Sequence, residues 1–353
     1  MKRKIRSIIL TAVGAPGGPT IIEALREDES LHIIGTDMRS EVPAKYMVDE
    51  FIQIPPGRSR EFIPFMLNLV KEKSVSVILP LATFELDNFA EHKELFAKQG
   101  CNICVSDFNS LNIANNKYKL YETLKDTEFV PKYYLPSSVE EFEKCATELG
   151  YPEKKIVMRP TVSHGSIGLR IISNEINKLD ILLNHKPTNI FSDYQSIIET
   201  LKMADKFPEI VLTEYLPNKE YGIDLVFDPT NNKLLKTFIR DNGSVSLSEI
   251  SGGKSIKTDM FDDIIKAVSE KLKLSYSINI DIKFDENNKP KILEINPRLP
   301  ATSYLAYKAG FNMALDSIHI ALGKSLKHNK IKDNLSIFSY RGFMVVEGNN
   351  SII

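Results

Sequence analysis

The chain has 353 residues, room for two or three domains at roughly 100–200 residues each. Hydrophobic residues make up 42% and charged residues 26%, with 45 Lys+Arg against 46 Asp+Glu and a net charge of −1. That balance argues against a nucleic-acid or acidic-membrane partner and leaves room only for a local basic pocket. No apolar run approaches the roughly 20 residues that span a bilayer. Three cysteines are too few for a disulfide framework and fit a reducing, cytoplasmic setting.

Basic Lys2, Arg3, Lys4 and Arg6 precede a short apolar stretch, Ile8–Val13, in the manner of a secretory leader. Gly14-Ala15-Pro16-Gly17-Gly18 follows at once, and Ile21, Ile22, Ala24 and Leu25 open a helical pattern. Strand, glycine turn and helix is therefore the expectation. Alternation continues to about residue 115. Strands are expected over Ser7–Val13, His32–Gly35, Val75–Leu79 and Cys101–Val105, with helices over Thr20–Arg26, Glu61–Lys73 and Phe84–Lys98. Short apolar strands separated by helices imply a parallel, Rossmann-like sheet.

The turn is not G-x-G-x-x-G, although Asp37 stands where a ribose-binding acid would. A tight turn is the plainer reading, with a small anion on the helix N-terminus as the alternative. Cys101-x-x-Cys104 falls in a strand, so it reads as structural, not redox-active.

Beyond about residue 119 the texture changes. Helices are expected at Lys119–Lys125, Val139–Leu149 and Asp262–Leu272. Strands are expected at Lys155–Arg159, Leu169–Ile172, Ile210–Tyr215, Gly222–Phe227 and Lys233–Arg240. Residues 181–207 are polar and partly helical. The segment after about residue 325 turns apolar at Phe343–Val346 and reads as a docked tail.

The strongest motif is a hairpin. In Ile278-Asn279-Ile280-Asp281-Ile282-Lys283-Phe284 the apolar residues point one way and the polar ones the other. A turn centred on Asn287-Asn288 sets Asp281 opposite Glu294 and Asn279 opposite Asn296. Like charges across a ladder repel, so two carboxylates and an amide on one face imply a cation. Oxygen ligands without His or Cys favour Mg²⁺, with Mn²⁺ able to substitute; the alternative is a solvated polar face. Two further features carry chemistry. Arg159-Pro160 leads into the small-residue loop Ser163-His164-Gly165-Ser166-Ile167-Gly168, which can offer backbone N–H groups to phosphate. Glu214-Tyr215-Leu216 runs through a turn to Glu220, a strand pair able to meet an adenine edge and ribose hydroxyls. Each is weak alone, and the loop could equally be a hairpin connection.

In this order the three motifs resemble the ATP-grasp superfamily, closest to proteins related to the carbamoyl phosphate synthase large subunit. The resemblance covers roughly residues 1–320. It implies an α/β (α+β) chain with a Rossmann-like N-terminal domain over 1–116. A two-lobed ATP-grasp domain follows, with a small lobe at 117–211, a large lobe at 212–325 and a tail at 326–353. Asn116-Lys117 resembles the family's entry to the ATP half, so Lys117 is expected on the nucleotide phosphates, with Lys119 as the alternative. Arg159 resembles the phosphate cation; Ser163, Gly165, Ser166 and Gly168 the covering loop; Glu214, Tyr215 and Leu216 the adenine hinge; Glu220 the ribose acid. Asp281, Glu294 and Asn296 resemble the Mg²⁺ ligands, and Arg298 the arginine facing the transferred phosphoryl group. Asp281 departs from the carbamoyl-phosphate branch, where Gln is frequent.

The implied chemistry is an ATP- and Mg-dependent, ADP-forming ligation of a small-molecule carboxylate to an amine through an acyl phosphate. A kinase or carboxylase and a non-catalytic ATP-binding module are the alternatives. The chain is too short for a carbamoyl phosphate synthase, which carries two such halves, and shows no glutamine-amidase feature. Arg240, at a strand end, is expected to face the substrate, with a surface arginine as the alternative. Ser251–Lys254 reads as a substrate loop or a turn, and Pro300–Ser303 as lining the acceptor. A homodimer is what the family suggests.

Overall fold

A computed structural model describes residues 5–163, 165–184, 190–243, 245–246, 249–250, 252–327, 329–338, 344–347 and 350–352. The N-terminal elements are β1 (Arg6–Leu10), α1 (Gly18–Leu25), β2 (Leu31–Asp37), β3 (Glu50–Gln53), α2 (Phe62–Lys73), β4 (Val75–Leu79), α3 (Thr83–Glu91), α4 (Lys93–Ala97), β5 (Asn102–Ile103) and α5 (Phe108–Ala114). The five strands pair in parallel in the order β3-β2-β1-β4-β5, the doubly wound topology expected from the alternation. Two elements were not foreseen. β3 is only partly buried and carries little apolar signal; α5 is short, and its start is marked by Asp107, whose side chain accepts from Ser110 N–H. The single helix expected over Phe84–Lys98 is broken at His92 into α3 and α4.

Next come α6 (Lys117–Leu124), β6 (Tyr133–Tyr134), α7 (Val139–Glu148), β7 (Ile156–Pro160), β8 (Arg170–Ile172), α8 (Lys178–Asn184), β9 (Phe191–Ser192), α9 (Tyr194–Lys202) and β10 (Ile210–Glu214). Strands β6-β10-β7-β8-β9 form the sheet of the small lobe. The stretch 181–207 thus supplies an edge strand and a helix, α9, whose Ile197, Ile198 and Leu201 bury against Phe142 and Ala146 of α7. Two placements differ from the expected boundaries: β10 completes the small-lobe sheet, and α6 packs in the core of the large lobe through Leu120, Tyr121 and Leu124.

The large lobe contains β11 (Glu220–Phe227), β12 (Leu234–Asp241), the short pair β13 (Val245–Ser246) and β14 (Glu249–Ile250), β15 (Gly252–Ile256), α10 (Asp262–Lys271), β16 (Tyr276–Phe284), β17 (Pro290–Asn296), α11 (Ser303–Lys308) and α12 (Met313–Ala321). β18 (Ser336–Phe338) joins its edge, giving β17-β16-β11-β12-β15-β18, and β19 (Val345–Glu347) pairs with β20 (Asn350–Ile352). The tail therefore docks by β18. Phe343, expected to dock, lies outside the described residues, and Val345 is exposed. Gly252–Lys254 is a strand and not a loop: β15 pairs with both β12 and β18, and Ser251 lies outside the described residues. α12 is buried along most of its length, in one core with Ile8, Val77 and Leu79 of the N-terminal sheet and Val226 and Phe238 of the large lobe. Apolar burial on both faces fuses the two units.

The β16–β17 hairpin sets the site, and its register holds a detail that alternation could not show. Asp281 opposes Glu294 and Asn279 opposes Asn296, as expected, but Ile282 opposes Ile292. Leu293 is thus an extra residue, a β-bulge. The bulge lets Ile292 enter the core while Glu294, two residues on, turns to the opposite face. The Leu293 carbonyl accepts from the Tyr121 hydroxyl at 2.8 Å. Tyr121→Phe is expected to lower stability by about 1–2 kcal/mol, because a buried acceptor loses its partner; urea unfolding measures it.

A second tether joins the N-terminal unit to α12. Asp28 accepts from Lys324 at 3.0 Å and lies 3.1 Å from His319 Nε2. Burial works against its charge, but Ser30, His319 and Lys324 together hold the Asp28 carboxyl well below the usual range. A depressed carboxylate adds stability above the unfolded pKa of about 4 and loses it as pH falls through the folded value. Asp28→Asn is expected to lower the urea midpoint at pH 7 relative to wild type, with the difference shrinking in strong acid.

Candidate active site

A cleft of about 500 Å³ lies between the two lobes. Its small-lobe wall is apolar: Val157, Ile171 and Ile190 form a cluster with Leu169 and Tyr215 packed against it. Lys117, Arg159, Ser163, Ser166, the 214–216 segment, Glu220, Asp281 and Glu294 all line the same cleft. The sequence places them up to 177 positions apart; the fold brings them together. The apolar wall was not foreseen, although Val157 and Ile171, cross-strand partners, sit in strands recognisable from sequence.

Local structure explains how each group is aimed. Asn116 caps α6, accepting from Lys119 N–H at 3.0 Å, and Lys117 N–H donates to Thr161 O at 2.8 Å, which pins the helix start to the end of β7. The Lys117 side chain is buried, with Nζ 3.3 Å from both Glu294 Oε2 and Ser163 Oγ. Burial pulls its pKa down, and Glu294 opposes that fall. Lys119, the alternative, turns outward and donates to Asn112. In the loop, Gly165, Ser166 and Gly168 all have left-handed φ, of 58°, 60° and 77°. Two left-handed residues in a row turn backbone N–H groups toward one side. A Cβ at Gly168 would fall 2.5 Å from Pro160 Cγ, so only glycine fits there. His164 lies outside the described residues.

In the 214–216 segment, the Glu214 carboxylate is already engaged, its Oε1 accepting from Lys132 N–H at 2.7 Å. Glu220 accepts from Asn242 Nδ2 at 3.4 Å and faces Lys283 at 3.8 Å.

Opposite the hinge stands the carboxylate pair. Burial first, and then the facing Glu294, push the Asp281 carboxyl up to about 7. Burial works the same way on Glu294, but Lys117 and Arg159 beside it hold it below the usual value. Asn296 Nδ2 donates to Asp281 Oδ2 at 3.1 Å and Asn279 Oδ1 at 3.1 Å. Two opposed, desolvated carboxylates with an amide between them fit a hard cation, which would relieve their repulsion. Two carboxylates and an amide would leave coordination positions for ligand oxygens. Arg159 Nε, a buried donor without a partner among the described residues, fits an anion in the cleft, since such donors are costly when unpaired.

One expectation needs correction. Arg240 does not reach the cleft. It is 2% exposed, its Nη1 is held by both Asp224 oxygens at 2.9 and 2.7 Å, and its Nε by Asn242 at 2.9 Å. Facing a buried acid, the guanidinium is drawn inward and cannot greet substrate. The β1–α1 segment is the tight turn of the plainer reading: Gly14 N–H donates to Asp37 at 2.9 Å, and Asp37 also binds Arg39.

Arg298 lies at the seam with the N-terminal unit: Nε donates to Thr83 Oγ1 at 2.9 Å and Nη1 to Leu299 O at 3.1 Å. Ala301, just beyond, packs so closely on the β1–α1 turn that a Cβ at Gly17 would fall 2.9 Å from its Cα. Cys101 and Cys104 are buried free thiols, and burial pushes Cys101 up to about 12, the state of a structural cysteine.

Comparison with known proteins agrees with this geometry. Residues 206–342 match a family model described as ATP-grasp in the biosynthetic pathway with Ter operon. Residues 8–104 match a PylC-like N-terminal domain. The carbamoyl phosphate synthase large chain of Clostridium acetobutylicum is 22% identical over 276 residues, 75% of this chain and 24% of that protein. The arginine-specific large chain of Bacillus subtilis is 25% identical over 246 residues, 66% of this chain and 22% of that one. The chain thus spans about a quarter of those relatives. Among solved structures, an ADP complex of the N5-carboxyaminoimidazole ribonucleotide synthetase PurK has a TM-score of 0.69 at 15% identity, covering 95% of this chain and 82% of the other. The biotin carboxylase domain of Hydrogenobacter thermophilus 2-oxoglutarate carboxylase, with MgADP and bicarbonate, has a TM-score of 0.66 at 17% identity, covering 94% and 73%.

Arg159→Leu is expected to weaken ADP binding about tenfold or more by calorimetry, the loss of a charge-assisted contact, without shifting the thermal transition much. The large-lobe side of the cleft and the parallel N-terminal sheet fall where the two family models match, an ATP-grasp model over residues 206–342 and a PylC-like N-terminal model over residues 8–104.

Proposed function

We propose that this protein is an ADP-forming ligase that activates a small-molecule carboxylate with ATP and joins it to an amine. The observation that carries the reading is the convergence, in one cleft, of the opposed Asp281–Glu294 pair with buried Lys117 and the unpartnered Arg159 Nε. The apolar wall and the 214–216 backbone form a slot of the kind that takes an adenine, and Glu220 stands where ribose hydroxyls would reach it. Mg²⁺ held by Asp281, Glu294 and Asn296 would supply charge neutralisation to the nucleotide phosphates.

The chain's own groups account for the rest. Arg159 and Lys117 hold the terminal phosphoryl group and offset its developing charge. A substrate carboxylate oxygen attacks the γ-phosphorus, and ADP leaves. The amine then attacks the acyl carbon, inorganic phosphate leaves with the C–O electron pair, and the amine gives up a proton. The Ser163–Gly168 loop covers the phosphates and excludes water, which would otherwise hydrolyse the acyl phosphate. Arg298, tied to Thr83 between the cleft and the β4–α3 turn, orients the carboxylate. The C-terminal ends of the parallel strands, where open α/β sheets take ligands, then hold the acceptor. A reducing cytoplasm fits the free buried thiols, and a homodimer, as in the biotin carboxylase domain dimer of the 2-oxoglutarate carboxylase, belongs to the same reading.

The test incubates the protein with Mg-ATP and pools of amino acids and small carboxylates, with bicarbonate as a separate arm and Glu294→Ala as control. Pool-dependent ADP and phosphate, at least a hundredfold lower in the control, are the expected result. AMP and pyrophosphate would overturn the mechanism, and turnover with bicarbonate alone would replace the ligase by a carboxylase.

A further inference from the structure

Across the large-lobe sheet, one row of cross-strand partners reads Arg240, Gly222, Asp281, Glu294, running from β12 through β11 and β16 to β17. The neighbouring row reads Phe238, Asp224, Asn279, Asn296. Gly222 is the gap in the first row. A Cβ there would fall 2.4 Å from both Cζ and Nη2 of Arg240, so the guanidinium lies flat over the bare backbone of β11. From that position it reaches two strands away, with Nη2 3.7 Å from Asp281 Oδ1.

The remaining contacts close a ring. Arg240 Nη1 is forked by Asp224, Asn279 Nδ2 donates to Asp224 Oδ1 at 3.0 Å, and Asn296 Nδ2 links Asn279 Oδ1 back to Asp281 Oδ2. Asp224, Arg240 and Asn279 are all at most 2% exposed. Planar, multidentate Arg is suited to such a site, where Lys would make a single point contact.

We infer that Arg240 is a positioning residue, which crosses the side-chain gap at Gly222 to hold Asp281, and through Asp224 and Asn279 holds Asn296, in place for a divalent cation. The inference rests on reading Asp281, Glu294 and Asn296 as the cation's ligands. Groups behind a metal's own ligands commonly govern affinity by 10–100-fold.

The test measures Mn²⁺ binding in the presence of ADP, by the electron-paramagnetic signal of free Mn²⁺, on the full chain. Metal-free ADP binding and thermal unfolding report the fold. Arg240→Met is expected to weaken Mn²⁺ binding roughly 10–100-fold, with Arg240→Lys intermediate. The double variant Arg240→Met/Asp224→Asn removes the orphaned charge while keeping an acceptor for Asn279; it should unfold near the wild-type temperature yet still bind Mn²⁺ weakly. Gly222→Ala, which removes no ligand and no charge but displaces the guanidinium, should also weaken Mn²⁺. Wild-type affinity in Arg240→Met, or its restoration in the double variant, would overturn the inference, because Arg240 would then serve only to neutralise Asp224. Absence of Mn²⁺ binding in the wild-type protein, with ADP still bound, would instead remove the cation site on which the inference stands.

Discussion

Two carboxylates, Asp281 and Glu294, are set directly across a β-ladder on the desolvated floor of a cleft. Left alone they would repel each other and resist burial, and both costs rise as water is excluded. Much of the surrounding architecture answers that constraint. Lys117 reaches Glu294 from the start of α6, Arg159 approaches from the small lobe, and Arg240 reaches Asp281 from beneath. Each cation comes from a different segment and is itself buried or half-buried, so none is free to wander. The balance is uneven: Lys117 and Arg159 both stand beside Glu294, whereas Asp224 takes up most of Arg240 and leaves Asp281 only a distant counter-charge. On the reading proposed above, a divalent cation bound with a nucleotide would complete it.

The division of labour among the units follows from packing. The large-lobe sheet carries the acids because its cleft-facing rows can be polar while Ile278, Ile280 and Ile282 fill the core behind them. The small lobe carries Arg159 and the loop that follows it on a separate core. The N-terminal unit shares a core with α12 and the large lobe, so it belongs to the large-lobe body. Arg298 sits at that junction with Thr83, which places the strand ends of the N-terminal sheet within reach of the chemistry.

Much of this was legible in the residues. Strict alternation in 278–284 announced both the strand and the shared face of Asn279 and Asp281, and the strand–helix rhythm of the first hundred residues announced the parallel sheet. The weak points were short or irregular elements: β3 and α5, whose apolar content is slight, and the break at His92 inside an otherwise continuous helical pattern. The opposition of Asp281 and Glu294 was anticipated from a simple two-residue turn, yet the structure reaches it through a longer loop and a bulge at Leu293. Ile292 itself held the clue, since simple alternation would have put an isoleucine on the acidic face.

What the sequence by itself determined is local and chemical: which segments alternate, which residues can carry charge or approach phosphate, and which of them share a strand face. These follow from side-chain periodicity and need no knowledge of distant partners. Only the tertiary structure decided what those groups meet. Arg240 looked like a substrate arginine because its chemistry allows that role; burial against Asp224, across the gap left by Gly222, turned it into a support for the acids. Asp37 stands at a ribose acid's spacing, but the fold engages it with Gly14 N–H and Arg39. The physical reason is the same in both cases. A charged side chain acts according to its desolvation and its nearest opposite charge, and both are set by strands that the chain brings together from far apart.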